Sequence, residues 1–263
     1  MTSPAMRRAL VENGQTLLGI VALIGLWELA CWFFSVPSWL LPAPSLVAAE
    51  TWEIAGILPA HFLATLAAVF GGFFLAILVG VPLAMAVVYS PLLRRLIYPP
   101  ILMLQSVPKV AIAPVLLIWV GYGLQSAIVV AATVAFFPIV ISTAAGLESI
   151  DEELLELTRS LDASPLKVFL KVRMLWAMPF IFSGLKVAIT LAVIGAIVAE
   201  FIGADKGLGY LIVANSGALK TSVVFGCLVL LSALGITAFY VVGFVERIMC
   251  PWYVRQPDDK GGL

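Results

Sequence analysis

Few side chains in this 263-residue sequence can do chemistry, since 62% of residues are apolar and 11% are charged. The polar exceptions inside apolar runs are Gln105, Ser106 and Lys109, set among Pro108 and Pro114, together with Glu28 and Glu200. Each must find a partner, because an isolated charge in hydrocarbon is costly. They can meet one another, as Lys109 with Glu200, or they can meet a polar solute; the residues alone leave both readings open. The parts for nucleophilic catalysis are missing. Ser216, in ANSG, lacks glycine framing, and His61 is the sole imidazole. Cys31, Cys227 and Cys250 are scattered without metal-ligand spacing and read as free thiols. No G-x-x-x-x-G-K-S/T phosphate loop occurs, so the chain has no binding loop of that kind for a nucleotide.

A mean hydropathy of +1.11 says what holds those exceptions in place. About 20 apolar residues cross a hydrocarbon core of roughly 30 Å as a helix. The sequence predicts an all-α membrane protein with six spans, at 17–36, 62–89, 99–120, 125–146, 179–202 and 223–245. With the N-terminus inside, the inner segments hold Arg7, Arg8, Arg94, Arg95, Arg159, Lys167, Lys171, Arg173, Arg247, Arg255 and Lys260, which is 11 of the 15 basic residues. Basic residues collect on the cytoplasmic side, so both termini face the cytoplasm. The expected organisation is a cytoplasmic N-terminus at 1–16, one transmembrane domain at 17–245 with an inner loop at 147–178, and a tail at 246–263. Arg7 and Arg8 before an apolar run imitate a secretory leader, but Glu28 stands where a lipoprotein cleavage site wants an apolar residue. The first helix is read as retained. Ser45 before LVAAETWEIAG predicts a capped amphipathic helix along the outer membrane surface.

The inner loop reads GLESIDEELLELTRSLDASPLKVFLKVRMLWAM, and it gathers Glu148, Asp151, Glu152, Glu153, Glu156, Arg159, Asp162, Lys167, Lys171 and Arg173, ten of the thirty charged residues. Ser149 or Asp151 can cap a helix whose acidic first turn suits the positive end of the helix dipole. Leu154, Leu155, Leu157 and Leu161 give it an apolar face. Asp162, Ala163 and Ser164 then make an elbow, with Ser164 as an N-cap and Pro165 at the first position of a second helix. Such a unit presents a surface to something soluble.

The order ELTRSLDASPLKVFLKVRMLWAMP resembles the cytoplasmic loop of the permease subunits of ATP-binding-cassette importers. In that motif a Glu-Ala-Ala segment, a Gly six residues after the Glu, and a Leu-Pro mark the docking site for the ATPase. Glu156 stands at the Glu, Leu157 and Thr158 replace the two Ala, Asp162 replaces the Gly, and Met174 with Leu175 replaces Leu-Pro. Asp is among the few residues that tolerate the left-handed conformation a motif Gly would serve. Pro179 can supply the break that Leu175 does not. LPAPSLV, SVPKVAIAPVLLIWVGYG, FFPIVISTAAGL and AEFIGADKGLGYLI extend the resemblance over roughly 41–252. Together they are similar to the nitrate, sulfonate and taurine importer permeases, a family that includes permeases for pyrimidine and riboflavin-type vitamin precursors. TLAVIGAIVAEFIGA, lacking the Trp of sulfonate members, leans toward the vitamin-precursor side.

That resemblance implies a type I importer in a bacterial inner membrane, built from two permease copies, two cytoplasmic ATPases and an extracytoplasmic solute-binding protein. ATP would be used by the partner ATPase and no cofactor would bind this chain. The docking face falls on Glu156, Arg159, Asp162, Ala163 and Ser164. The solute path falls near the membrane midplane on Gln105, Ser106, Pro108, Lys109, Pro114 and Glu200, with Lys109 roughly ten residues, about 15 Å, from the inner end of its span. Gly207, Gly209 and Tyr210 suggest a tight outer turn forming an outer gate, while His61 reads as an interfacial residue. A secondary transporter or channel would also have six spans, but no inverted repeat or intramembrane acid–base relay is visible.

Overall fold

The computed structural model describes residues 4–253, and among these it contains helices and turns but no strand. Arg255, Lys260 and the DDKGG tail lie outside the described residues, as do the side chains of Arg7 and Arg8. The helices are α1 (Pro4–Phe33), α2 (Pro44–Glu53), α3 (Leu58–Tyr89), α4 (Pro91–Gln105), α5 (Lys109–Val120), α6 (Leu124–Glu148), α7 (Glu152–Ser160), α8 (Pro165–Val168), α9 (Met174–Gly203), α10 (Leu208–Gly217) and α11 (Thr221–Met249). A π-helical turn, Phe169–Arg173, joins α8 to α9 without a break.

Among the described residues four helical runs are long and apolar enough to cross a membrane: Leu58–Tyr89, Leu124–Glu148, Pro165–Gly203 and Thr221–Met249. The shorter apolar stretch Leu18–Phe33 stands where the first span was expected. The third expected span, 99–120, is not a straight rod. It is the joint of α4 and α5, bent by 108°. Pro108 causes this, sitting as the N-cap of α5 with an extended ψ of 100°, a conformation that ends one helix and starts another. Pro114, expected to interrupt the same span, lies inside α5 without breaking it, because neighbouring groups can re-satisfy a backbone freed by proline in a membrane helix.

The chain divides into two compact units, 1–59 with 211–230, and 60–210 with 231–263. In the smaller unit, Glu28 of α1 accepts from the Ser45 N–H at 2.9 Å and from its hydroxyl at 2.6 Å. Ser45 was expected to cap α2 itself, yet Ala43 holds the N-cap position and Glu28 supplies the acceptor. Trp27 packs against Phe225, with ring centroids 5.7 Å apart.

The larger unit is built around α6 and α9, whose shared face is made of small residues. Ala131, Ala135, Ala188, Ala192 and Ala196 are fully buried, and Gly146, Gly184 and Gly195 let the two backbones close up. Lipid is as apolar as any side chain, so membrane helices associate through such close packing.

Among the described residues three non-glycine ones have positive φ, namely Ser35 (49°), Asp162 (50°) and Leu219 (58°). Each follows the last turn of a helix in the same way. The residue after it donates its N–H back to a carbonyl five residues earlier: Val36 to Cys31, Ala163 to Thr158 and Lys220 to Asn215. This is the Schellman arrangement, usually completed by glycine.

Candidate functional site

Three places gather the polar groups that the sequence singles out, and the first is the inner loop. Helix α7 has Glu152 and Glu153 in its first turn and Arg159 in its last, charges matched to the helix dipole. Asp151 is its N-cap by position but makes no side-chain cap bond. Ser149 belongs instead to the end of α6, donating to the Gly146 carbonyl at 3.0 Å and accepting from Trp176 Nε1 at 3.2 Å. Glu156, Arg159, Asp162 and Ser164 are exposed. Leu157 and Leu161, from the apolar face expected on this helix, lie beside them, 56% and 72% exposed.

The elbow after α7 has the geometry that its residue types predict. Asp162 adopts the left-handed conformation, with its own N–H donating to the Arg159 carbonyl at 3.0 Å. Ser164 holds the N-cap position of α8 and Pro165 the first helical position, although the Ser164 hydroxyl forms no cap bond. Ala163 is half-buried. With Tyr89, Leu155, Arg159, Phe169 and Arg173 it borders a groove of about 240 Å³. The break expected at Pro179 is absent, since α9 runs through it. Only the wider π turn marks the entry to the span; there Arg173 lies 5.5 Å from the centre of the Tyr89 ring.

The second place is the joint between α4 and α5. Gln105 ends α4, Ser106 caps it, and Lys109 opens α5. Gln105, Ser106 and Pro108 are exposed, while Lys109 is half-buried with its ammonium 4.9 Å from the Phe137 ring centre. That is a cation–π distance. The pairing of Lys109 with Glu200 does not form, because Glu200 is held at the third place.

There, after α9, Gly207 turns at φ +127° and α10 begins. Three successive N–H groups are each taken by a side chain. Gly207 donates to His61 Nδ1 at 3.1 Å, Leu208 to Thr65 Oγ1 at 2.8 Å, and Gly209 to Glu200 Oε2 at 2.7 Å. The Thr65 hydroxyl in turn donates to Glu200 Oε2 at 3.0 Å. Thr65 is fully buried and Glu200 is 3% exposed. The His61 ring stacks on Tyr210 at 5.7 Å, inclined by 4°. A Cβ on Gly209 would come within 2.8 Å of Glu200 Cβ, so glycine there reflects close approach. Thr65 escaped the sequence reading, and His61 was taken only as interfacial. Lys186 and Glu246 also escaped it; they form a buried ion pair between α9 and α11.

The fold and the loop define a helical membrane protein with a proline-bent apolar segment and an ordered polar loop, and comparison with known proteins gives it a family. Residues 72–249 match the model of the binding-protein-dependent transport system inner membrane component, and the chain belongs to that family. It is 31% identical over 252 residues to the formylaminopyrimidine transport permease protein ThiX of Halalkalibacterium halodurans, covering 95% of this chain and 100% of that one. It is 33% identical over 235 residues to the riboflavin transport system permease protein RibX of Chloroflexus aurantiacus, covering 89% and 88%. A solved inward-facing structure of the MetNI methionine ABC transporter superposes with a TM-score of 0.64 at 24% identity, over 75% of this chain and 98% of that one. This likeness concerns the fold, that of a type I importer permease. The chain is thus an integral membrane permease subunit of an ABC importer, and ATP hydrolysis resides on a separate subunit.

Proposed function

We propose that this chain works as one of two identical copies in a bacterial inner membrane, with two ATPases below and a solute-binding protein above. The cargo is a small polar solute of the vitamin-precursor class, supported by full-length similarity to permeases for a pyrimidine and for riboflavin. Gln105, Ser106 and Pro108, exposed at the bent joint, line the path with the half-buried Lys109, and Pro114 stands behind them in α5. Glu156, Arg159, Asp162 and Ser164 form the ATPase-facing surface, and Leu157 and Leu161 add apolar area between them. ATP-driven closure of the ATPases moves this loop, and the continuous run from Pro165 to Gly203 carries the motion into the membrane.

The observation that carries the coupling assignment is the exposed, Schellman-closed unit at 152–164. In its test, the chain is reconstituted with its ATPase and binding protein, and ATP hydrolysis and ATPase retention are measured for Glu156→Lys with Arg159→Glu. The expected result is loss of both; retention at the wild-type level overturns it. Uptake of a labelled aminopyrimidine, compared with an alkanesulfonate in the same vesicles, tests the cargo class, and uptake of the sulfonate alone would reverse it.

A further inference from the structure

We propose that Thr65, Glu200 and His61 are positioning residues of a latch that fixes the start of α10, and that opening this latch is a step of the transport cycle. The proposal rests on the importer reading for what the latch controls, while the latch itself rests on hydrogen bonds alone.

A helix start exposes N–H groups that its own segment normally satisfies with a Ser, Thr or Asp side chain. The start of α10 does not follow that habit. Asp205 is available just upstream and stays exposed, whereas Gly207, Leu208 and Gly209 are buried. Their three N–H groups go to three side chains on two other helices, His61 and Thr65 of α3 and Glu200 of α9. The bonds are linked to one another. Thr65 accepts from Leu208 and donates to the same Glu200 oxygen that receives Gly209. In such a buried network each bond polarises the next, so Thr65 and Glu200 strengthen one another's hold on Leu208 and Gly209, while His61 holds Gly207 separately.

Its place along the chain is the second observation. The larger unit takes in the chain at Ala60 and releases it after Tyr210. His61 and Tyr210, each within one residue of those limits, stack face to face inside that unit. The latch therefore ties together two of the points at which the chain enters or leaves the unit. Beside it lies a cleft of about 270 Å³ lined by Ala64, Ala68, Ala127 and Ala204 on one hand and by Asp205 and Lys206 on the other. Glu200 borders this cleft, and its second oxygen, Oε1, makes no hydrogen bond among the described residues.

Amide hydrogen exchange on the whole complex in lipid nanodiscs tests the latch directly, with and without a non-hydrolysable ATP analogue. In the wild type, exchange at 207–210 should differ about tenfold between the two nucleotide states, the size set by one hydrogen bond opening. Thr65→Val keeps the shape and removes the hydroxyl; it should speed exchange at Leu208 and erase the nucleotide dependence. Thr65→Ser should restore both, which a role confined to packing would not. His61→Phe keeps the stack on Tyr210 and removes only the acceptor, giving a milder variant whose faster exchange at Gly207 makes the same point. Wild-type exchange at Leu208 in Thr65→Val, or equal protection in both nucleotide states, overturns the proposal. Peptides over 152–164 serve as the control. A nucleotide response there with none at 207–210 sinks the latch and leaves the ATPase docking reading intact.

Discussion

Ala163 donates its N–H to the carbonyl of Thr158 at 3.1 Å, closing the end of α7 around Asp162 at φ +50°. The elbow after α7 is thus set by backbone bonds, and the side chain at 162 stays exposed outside that closure. Ser35 and Leu219 occupy the matching position after α1 and α10. Leu219 is the most strained of the three, because a left-handed residue without a local side-chain bond costs about 1–2 kcal/mol.

Leu219→Gly should therefore stabilise the protein by about 1 kcal/mol, and Asp162→Gly by less, since Asp tolerates the left-handed region better. Thermal unfolding of the purified chain in detergent measures both. A lower melting temperature for Leu219→Gly would contradict the account.

Lys186 and Glu246 form an ion pair that is 5% and 7% exposed. Removing one partner leaves the other a buried charge without this counter-ion, at a cost of about 3–5 kcal/mol. Lys186→Met alone and Glu246→Gln alone should each destabilise strongly, while Lys186→Met with Glu246→Leu should recover most of the loss. Unfolding by denaturant in mixed micelles, read as a double-mutant cycle, gives the coupling.

Leu157 and Leu161 sit exposed beside Glu156 and Arg159. Burying one leucine against a partner contributes about 1.5–3 kcal/mol. Leu161→Ser should leave folding unchanged and weaken ATPase binding by roughly ten- to a hundredfold on that scale. Titration of the labelled ATPase onto nanodiscs holding the chain decides it, and unchanged affinity would move the docking face elsewhere.

What the sequence made readable follows from the range of the interactions involved. Apolar runs placed Leu58–Tyr89, Leu124–Glu148 and Thr221–Met249 to within a few residues, though not the starts of α1 and of the run Pro165–Gly203, and Pro108 marked the bend, because both effects are local. Asp162 and Pro165 could likewise be assigned, since turn chemistry depends on neighbouring residues. Pro114 and Pro179 misled because a membrane helix can absorb a proline when its surroundings repair the backbone. Ser45 and Ser149 misled because Glu28 and Trp176 compete for them from other segments. Thr65 and Glu200 are 135 residues apart. No periodicity or spacing could have joined them, nor Lys186 to Glu246. The turn at Gly207 and Gly209 was visible, but the side chains holding it were not.

Glycine offers a last test, because two kinds of it occur in the long helices. A Cβ on Gly195 would meet the Ala131 Cα at 2.8 Å and the Val130 carbonyl at 3.1 Å, backbone atoms of α6 that cannot swing aside. Gly25 in α1 has nothing within 4 Å of such a Cβ. Gly195→Ala must push α9 away from α6, and overpacking of that kind costs about 1–3 kcal/mol or more. Gly25→Ala should instead stabilise by about 0.5–1 kcal/mol, since alanine has less freedom to lose in a helix. Thermal unfolding of the two variants side by side should shift in opposite directions. A Gly195→Ala protein as stable as the wild type would mean that α6 and α9 are not held by close backbone approach.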